Sequence, residues 1–217
     1  MRTTRTLALL TSGLVAVGTL TACGGTDPLS NDEAKEVLLT EDNFPLDGYK
    51  RGTVEDGEAK DEAMDVSEME NGLKQLGEIS EECQKALDDL DGLKASDHID
   101  QGASVDFTKG QSNVSVIAAG VKDDGKKLQD AFATLGAHCD DIEKSEGGLS
   151  VKIGFDEVDQ DDFKGTQITV DAMGQKKETT MGGRLVGENF VGVFGSDVSK
   201  DDVLKVADAQ AKAIEDK

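Results

Sequence analysis

In the second half of this chain apolar side chains recur at every other position, and that rhythm dictates more of the fold than any other feature of the sequence. Leu149, Val151, Ile153 and Phe155 alternate with polar neighbours without a break, which gives an extended strand one apolar face, because successive strand side chains point to opposite sides. Val105 and Phe107 repeat the pattern, as do Val114, Val116 and Ala118, and Gly110, Ser112 and Asn113 between them supply turn chemistry for a hairpin. Ile168, Val170 and Ala172 make another strand; Arg184 to Val186 and Phe190 to Phe194, separated by Gly187-Glu188-Asn189, read as a last hairpin. Tyr49 to Val54 is a shorter candidate. The pairs Gly147-Gly148 and Gly182-Gly183 read as turns.

Helical spacing occupies the gaps between these strands. Ser30 followed by Glu33 is a capping box and predicts a helix over 31–40 that buries Ala34, Val37 and Leu38, with Pro45 preventing any continuation. From Glu58 to Gly77 the chain is acidic and poor in aromatics, a helical or irregular excursion. Beyond it Ile79, Cys83, Ala86, Leu87 and Leu90 share a helix face. Asp124 is placed to cap a helix in which Leu128, Ala131, Phe132 and Leu135 form a stripe that Cys139 continues. Ser199, Asp201 and Asp202 open a terminal helix that buries Val203, Val206, Ala207, Gln210 or Ala211, and Ile214. Runs of antiparallel strands separated by single helices predict an α+β domain, a central twisted antiparallel sheet flanked by helices.

The first residues are excluded from that fold. Arg2 and Arg5 precede an apolar run from Leu7 to Leu20, and no acid appears before Asp27, the layout of a secretory signal. The run falls short of the roughly 20 residues that span a bilayer. Leu20-Thr21-Ala22-Cys23 resembles the bacterial lipobox, in which small residues lead a cysteine into a peptidase and its sulfur takes a diacylglyceryl group. An ordinary signal peptide with a chance cysteine at its end is the alternative. The boundaries that follow are a lipoprotein signal over 1–22, a lipidated tether over 23–30 and an extracellular sensor-like domain over 31–217. Two or three acyl chains hold where one is marginal, so Cys23 would fasten the chain to the outer face of the cell membrane.

Charge and cysteine count constrain the rest. The formal charge is −22 from 45 acidic and 23 basic residues, and it becomes more negative still once Arg2 and Arg5 leave with the signal. Nucleic acid is excluded as a partner because phosphate binding needs clustered Lys and Arg. Acidic runs such as 55–65 and 156–162 read as solvated loops or helix faces. With Cys23 committed to lipid, Cys83 and Cys139 remain in an oxidising compartment, where an even pair points to one disulfide; two free buried thiols are the alternative.

No catalytic set emerges. His98 and His138 are the only histidines, and their surroundings, a polar connection and a helix end, suit surface or capping roles. No G-x-S-x-G elbow is present. Around Gly92 the calcium-loop pattern fails because Leu87 would stand at its first position, and 196–202 lacks the required glycine and terminal glutamate. Zinc needs more nitrogen and sulfur ligands than one His-Cys pair offers, and no phosphate-cradling glycine loop ends in Lys-Ser or Lys-Thr. A binding module without cofactor is expected, not an enzyme.

The stretch 37-VLLTEDNFPLDGY-49, Cys83 ahead of the sheet, the helix 128-LQDAFATLGAHC-139 and the closing 191-VGVFGSDVSKDDVLKVADAQAKAIED-216 together resemble the extracellular sensor domain of actinobacterial serine/threonine kinases of the PknH type and its lipoprotein relatives. The resemblance spans nearly the whole mature chain and rests on element order and two cysteine positions. It implies a sheet flanked by helices, a cleft for a ligand, and a disulfide from Cys83 to Cys139. The kinase members carry a second cysteine pair in the late strands; 184-RLVGENFVGVFG-195 has none. The expectation is a lipid-anchored protein that binds an envelope ligand or protein. A lipid or glycolipid carrier, a structural partner of an envelope complex and a hydrolase using His98 or His138 are the rivals; seven Phe, one Tyr and no Trp leave few apolar residues for a carrier's cavity.

Overall fold

A computed structural model describes residues 27–58, 66–122, 125–146 and 149–217. The elements run α1 (Asn31–Val37), β1 (Lys50–Glu58), α2 (Ser67–Leu76), α3 (Glu81–Asp91), α4 (Ala95–His98), β2 (Ile99–Lys109), β3 (Ser112–Val121), α5 (Gly125–His138), β4 (Ile142–Glu146), β5 (Leu149–Gln160), β6 (Phe163–Ala172), β7 (Gln175–Val186), β8 (Asn189–Ser196) and α6 (Lys200–Glu215). The strands form one antiparallel eight-stranded sheet in the order β1-β2-β3-β8-β7-β6-β5-β4. A hairpin meander therefore runs from β4 inward to β8, which pairs with β3, and α5 carries the chain from the middle of the sheet to its far edge.

Helices cover both faces. On one side α1 and α6 bury Ala34, Val37, Val203, Val206 and Ile214 against Val105, Val116, Val191 and Val193. On the other, α2, α3 and α5 bury Leu73, Leu87, Leu128, Phe132 and Leu135 against Phe155, Met181 and Phe190. The parity of β8 serves both cores, Val191 and Val193 to one and Phe190 and Phe194 to the other, so the near-continuous apolar run there marks a strand buried on two faces.

The departures from the sequence reading have local causes. The capping box at Ser30 and Glu33 is present, but α1 stops at Val37. The fully buried Gln210 captures the chain just beyond, its Nε2 donating to the Val37 carbonyl at 2.8 Å and its Oε1 accepting from the Leu39 amide at 3.1 Å. The acidic excursion is helical from Ser67 onward. The acidic residues 55–58 and 156–160 lie in β1 and β5 instead of loops or helices. Glu55, Asp56, Asp156, Glu157 and Asp159 are all exposed there, which is enough to keep carboxylates in a strand. β4 was not anticipated: of its five residues only Ile142 is apolar, too little for a visible period.

Gly182 and Gly183 lie inside β7, not in a turn. A Cβ on Gly182 would come within 2.4 Å of the Lys164 carbonyl oxygen, and one on Gly183 within 2.3 Å of the Phe190 ring; close packing, not chain reversal, requires glycine here. Asp124 and Gly147-Gly148 fall outside the described residues. The hairpin turn at Gly187 does use a positive φ, 59°, as a tight reversal between twisted strands demands.

The start of the described chain is built into the domain. Leu29, assigned from sequence to the tether, is buried, and its amide donates to Asn189 Oδ1 at 2.8 Å while Asn189 Nδ2 donates to the Asp27 carbonyl at 3.0 Å. Gly120 permits this approach, since a Cβ there would meet the Leu29 carbonyl oxygen at 2.8 Å. Among the described residues no helix is long and apolar enough to cross a membrane.

Candidate functional site

The face of the sheet that carries α5 is only partly covered, and the uncovered part forms a cleft. α5 touches the sheet most closely at two glycines. A Cβ on Gly125 would meet Leu185 Cδ2 at 2.7 Å, and one on Gly136 would meet Glu157 Cα at 2.6 Å. Between these points Leu128 and Phe132 lean toward β8, where Phe132 stands edge-on to Phe194 with ring centroids 5.5 Å apart and lies 6.2 Å from Phe190. Phe190 is held flat by Gly183 and Gly192, whose missing side chains leave room for its ring.

Under α4 and the helical side of these aromatics is a cavity of about 200 Å³ whose walls are all apolar, Ile99, Ile117, Leu128, Phe132, Phe190 and Phe194 among them. It adjoins a groove of about 230 Å³ on the strands toward β1, with which it shares Ala95, Ile99 and Ile117. The groove is low because its floor residues are small: Gly102 faces Ala119 across the ladder, and a Cβ on Gly102 would lie 2.8 Å from the Ala119 methyl.

The groove's outer rim is acidic. Glu55 of β1 supplies its carboxylate; the next residue, Asp56, turns its side chain to the other face of the strand, where it pairs with Lys35 of α1 at 3.0 Å. Asp32 chiefly, and Asp56 with it, hold the Lys35 ammonium above its ordinary pKa. Farther along the groove's own face of the sheet, Asp106 accepts a hydrogen bond from the Ser115 hydroxyl. The site thus offers an apolar interior, small side chains along its floor and carboxylates along its edge.

Cys83 and Cys139 form the expected bridge, and the histidines do not meet at a site. Cys83 of α3 is bonded to Cys139, just past α5, with sulfurs 2.03 Å and Cα atoms 4.5 Å apart. The bridge fixes α3 to the end of the helix that forms one wall of the cleft. His98 ends α4, its carbonyl accepting from the Lys122 amide at 2.8 Å, and His138 is exposed in the last turn of α5. Neither lines the cleft. Among the described residues no three His, Cys, Asp or Glu side chains are grouped to hold a metal ion. Cys23 lies outside the described residues.

Sequence reading assigned no ligand-contacting residue, and the cleft residues carried a faint signal. Ile117 is apolar in a phase opposite to Val114, Val116 and Ala118, and Phe190 and Phe194 are out of phase with Val191 and Val193. Both faces of β3 and β8 therefore bear apolar groups, which marks two-sided burial but does not reveal that one side is left partly open.

The fold has a solved counterpart. The extracellular domain of PknH from Mycobacterium tuberculosis has the same fold: it aligns over 89% of this chain and 100% of its own length, at TM-score 0.53 and 10% sequence identity. An uncharacterized protein from Mycobacterium smegmatis, the ortholog of Rv0999, aligns over 78% of this chain and 90% of its own at 14% identity, with a TM-score of 0.42. No family model and no curated protein matches the sequence.

Proposed function

We propose that this chain is an extracytoplasmic lipoprotein, cleaved after residue 22 and acylated on Cys23, whose domain binds a ligand or protein of the cell envelope in the cleft beside α5, without catalysing a reaction. The apolar cleft carries this reading: the cavity walled by Phe132, Phe190 and Phe194 is lined by apolar side chains throughout and adjoins an open groove, the arrangement of a site that takes an apolar group. The PknH-like fold supports it, since that relative is itself an extracellular domain. The size of the cavities favours reading a ligand over carrying one, as each lies below the roughly 300–1,000 Å³ of pockets that enclose a drug-sized molecule.

The order of the first described residues adds a constraint. Because Asp27 and Leu29 are tied to Asn189, an anchor at Cys23 would lie close in sequence to a fixed point of the domain, and the end of the sheet bearing Asn189 would face the bilayer. Intact-mass analysis of the N-terminal peptide from membranes should find a mature terminus at Cys23 bearing fatty acid, and Cys23→Ser should release the protein from them. A terminus upstream of residue 23, or a membrane-bound C23S variant, would overturn the anchor. Recovery of the natively lipidated protein with no bound molecule or partner would overturn the binding role.

A further inference from the structure

The cleft also specifies the chemistry of its occupant. We infer that the cavity between α5 and β8 takes the aliphatic tail of an amphiphile whose head is neutral or cationic, and that Glu55 on the rim turns anionic heads away; this rests on the binding role proposed above. An apolar cavity of about 150 Å³ stays dry and accepts a benzene-sized guest. The cavity here, about 200 Å³, has no polar side chain in its wall, so a water inside it would have no partners. A tail fits where a polar ligand does not.

The adjoining groove gives that tail an exit and defines what can sit outside. It leads from the shared residues Ala95, Ile99 and Ile117 across Gly102 and Ala119 to the edge strand β1, a path kept shallow by residues with little or no side chain. At its mouth stands exposed Glu55, in a chain whose formal charge is −22. No basic side chain lines either cavity. A phosphate, sulfate or carboxylate head would meet like charge at the mouth, and a sugar, hydroxyl or ammonium head would not. The apolar side chain of a protein partner is the competing occupant, and head-group charge separates the two.

The test is photolabelling of the full, natively processed chain in its own membranes. The probes are dodecyl chains with a terminal diazirine and a maltoside, trimethylammonium or sulfate head. Adducts should map to the peptides carrying Ile117 and Phe194, with the sulfate probe labelling about fivefold less than the other two, the factor that one like charge a few ångströms away in water is worth. Ile117→Trp, which fills the cavity, should remove the adducts. Glu55→Lys, an exposed edge substitution that leaves the core intact, should raise sulfate labelling to the level of the maltoside. Labelling that ignores the head group, that falls outside the cleft, that persists in I117W with its disulfide intact, or that is absent because a protein occupies the cleft would each overturn the assignment. The same digest reports acylation of Cys23, so loss of the anchor is read separately from loss of tail binding.

Discussion

Thr166 of β6 accepts a hydrogen bond from the Gly136 amide of α5 at 2.8 Å, and the same hydroxyl donates to the Phe132 carbonyl at 2.7 Å. A strand side chain thereby stands between two backbone groups that a regular helix would pair with each other, four residues apart. The contact fastens the helix to the sheet one turn from Phe132, whose ring forms a wall of the cleft. Thr166 is fully buried, so removing its hydroxyl strands a donor and an acceptor away from water. Thr166→Val should lower stability by about 1–3 kcal/mol, measured as a lower midpoint in urea unfolding, and should weaken labelling at Phe194 by loosening the wall.

Gly136→Ala sets two effects against each other. Alanine is the better helix former by up to about 1 kcal/mol. Its Cβ, however, would fall 2.6 Å from both the Cα and the backbone nitrogen of Glu157, and strand backbone cannot rotate aside as a flexible side chain can. Overpacking of this kind costs about 1–3 kcal/mol, so the clash outweighs the propensity. The expected result is net destabilisation on urea titration; a G136A protein more stable than the parent would show that α5 does not seat on β5 at this residue.

Cys83 and Cys139 close a loop with a sequence separation of 56, which in the loop-entropy model contributes about 4 kcal/mol. The double substitution Cys83→Ala with Cys139→Ala should lose a large part of that in urea unfolding, and dithiothreitol should destabilise the parent while leaving the double variant unchanged. Because the bridge anchors α3 to the end of α5, hydrogen exchange should rise first in those two helices and least in α6, which packs on the opposite face.

These contacts explain which parts of the molecule could be read from the sequence. Alternation identified β2 and β5, each of which leaves part of one face solvated, and also β3 and β6, whose apolar residues alternate although no position is fully exposed; helical spacing identified α3, α5 and α6, each of which buries one stripe. The sequence understated β7, expected from Arg184 and observed from Gln175, since 175–180 (Gln-Lys-Lys-Glu-Thr-Thr) pairs through its backbone with β6 and β8 and has no apolar period to announce it. Gly182 and Gly183 were misread because glycine serves equally at a reversal and at a close approach, and only the neighbouring Phe163 and Phe190 rings distinguish the uses. The cleft, implied only by the family resemblance, could not be placed on particular residues for a different reason. Ile99, Ile117 and Phe194 come from separate elements, and whether a face bearing them is filled or left open depends on where α5 crosses, which no local pattern encodes.

Glu33 provides a pH-dependent readout of how the two ends of the domain are joined. Its carboxylate pairs with Lys217, the last residue, at 2.5 Å, and accepts from the Ser30 amide at 2.9 Å. The Lys217 ammonium first, then the Ser30 hydroxyl and amide, hold its pKa down to about 2 from an ordinary 4.5. A carboxylate with a depressed pKa in the folded state binds its proton more readily when unfolded, so its stabilising contribution is full above about pH 4.5 and is lost as pH falls toward 2. The side chain is 45% exposed, which makes the titration a better measure than the stability change. Carbon-detected NMR should place the Glu33 midpoint near 2, and Lys217→Ala should move it back toward the usual carboxylate range, with Ser30→Ala moving it less. Glu33→Gln should flatten the acid limb of the stability curve between those pH values. An ordinary Glu33 midpoint in the parent would mean that the C-terminus of α6 is not docked on α1, and the packing of that whole face would need to be redrawn.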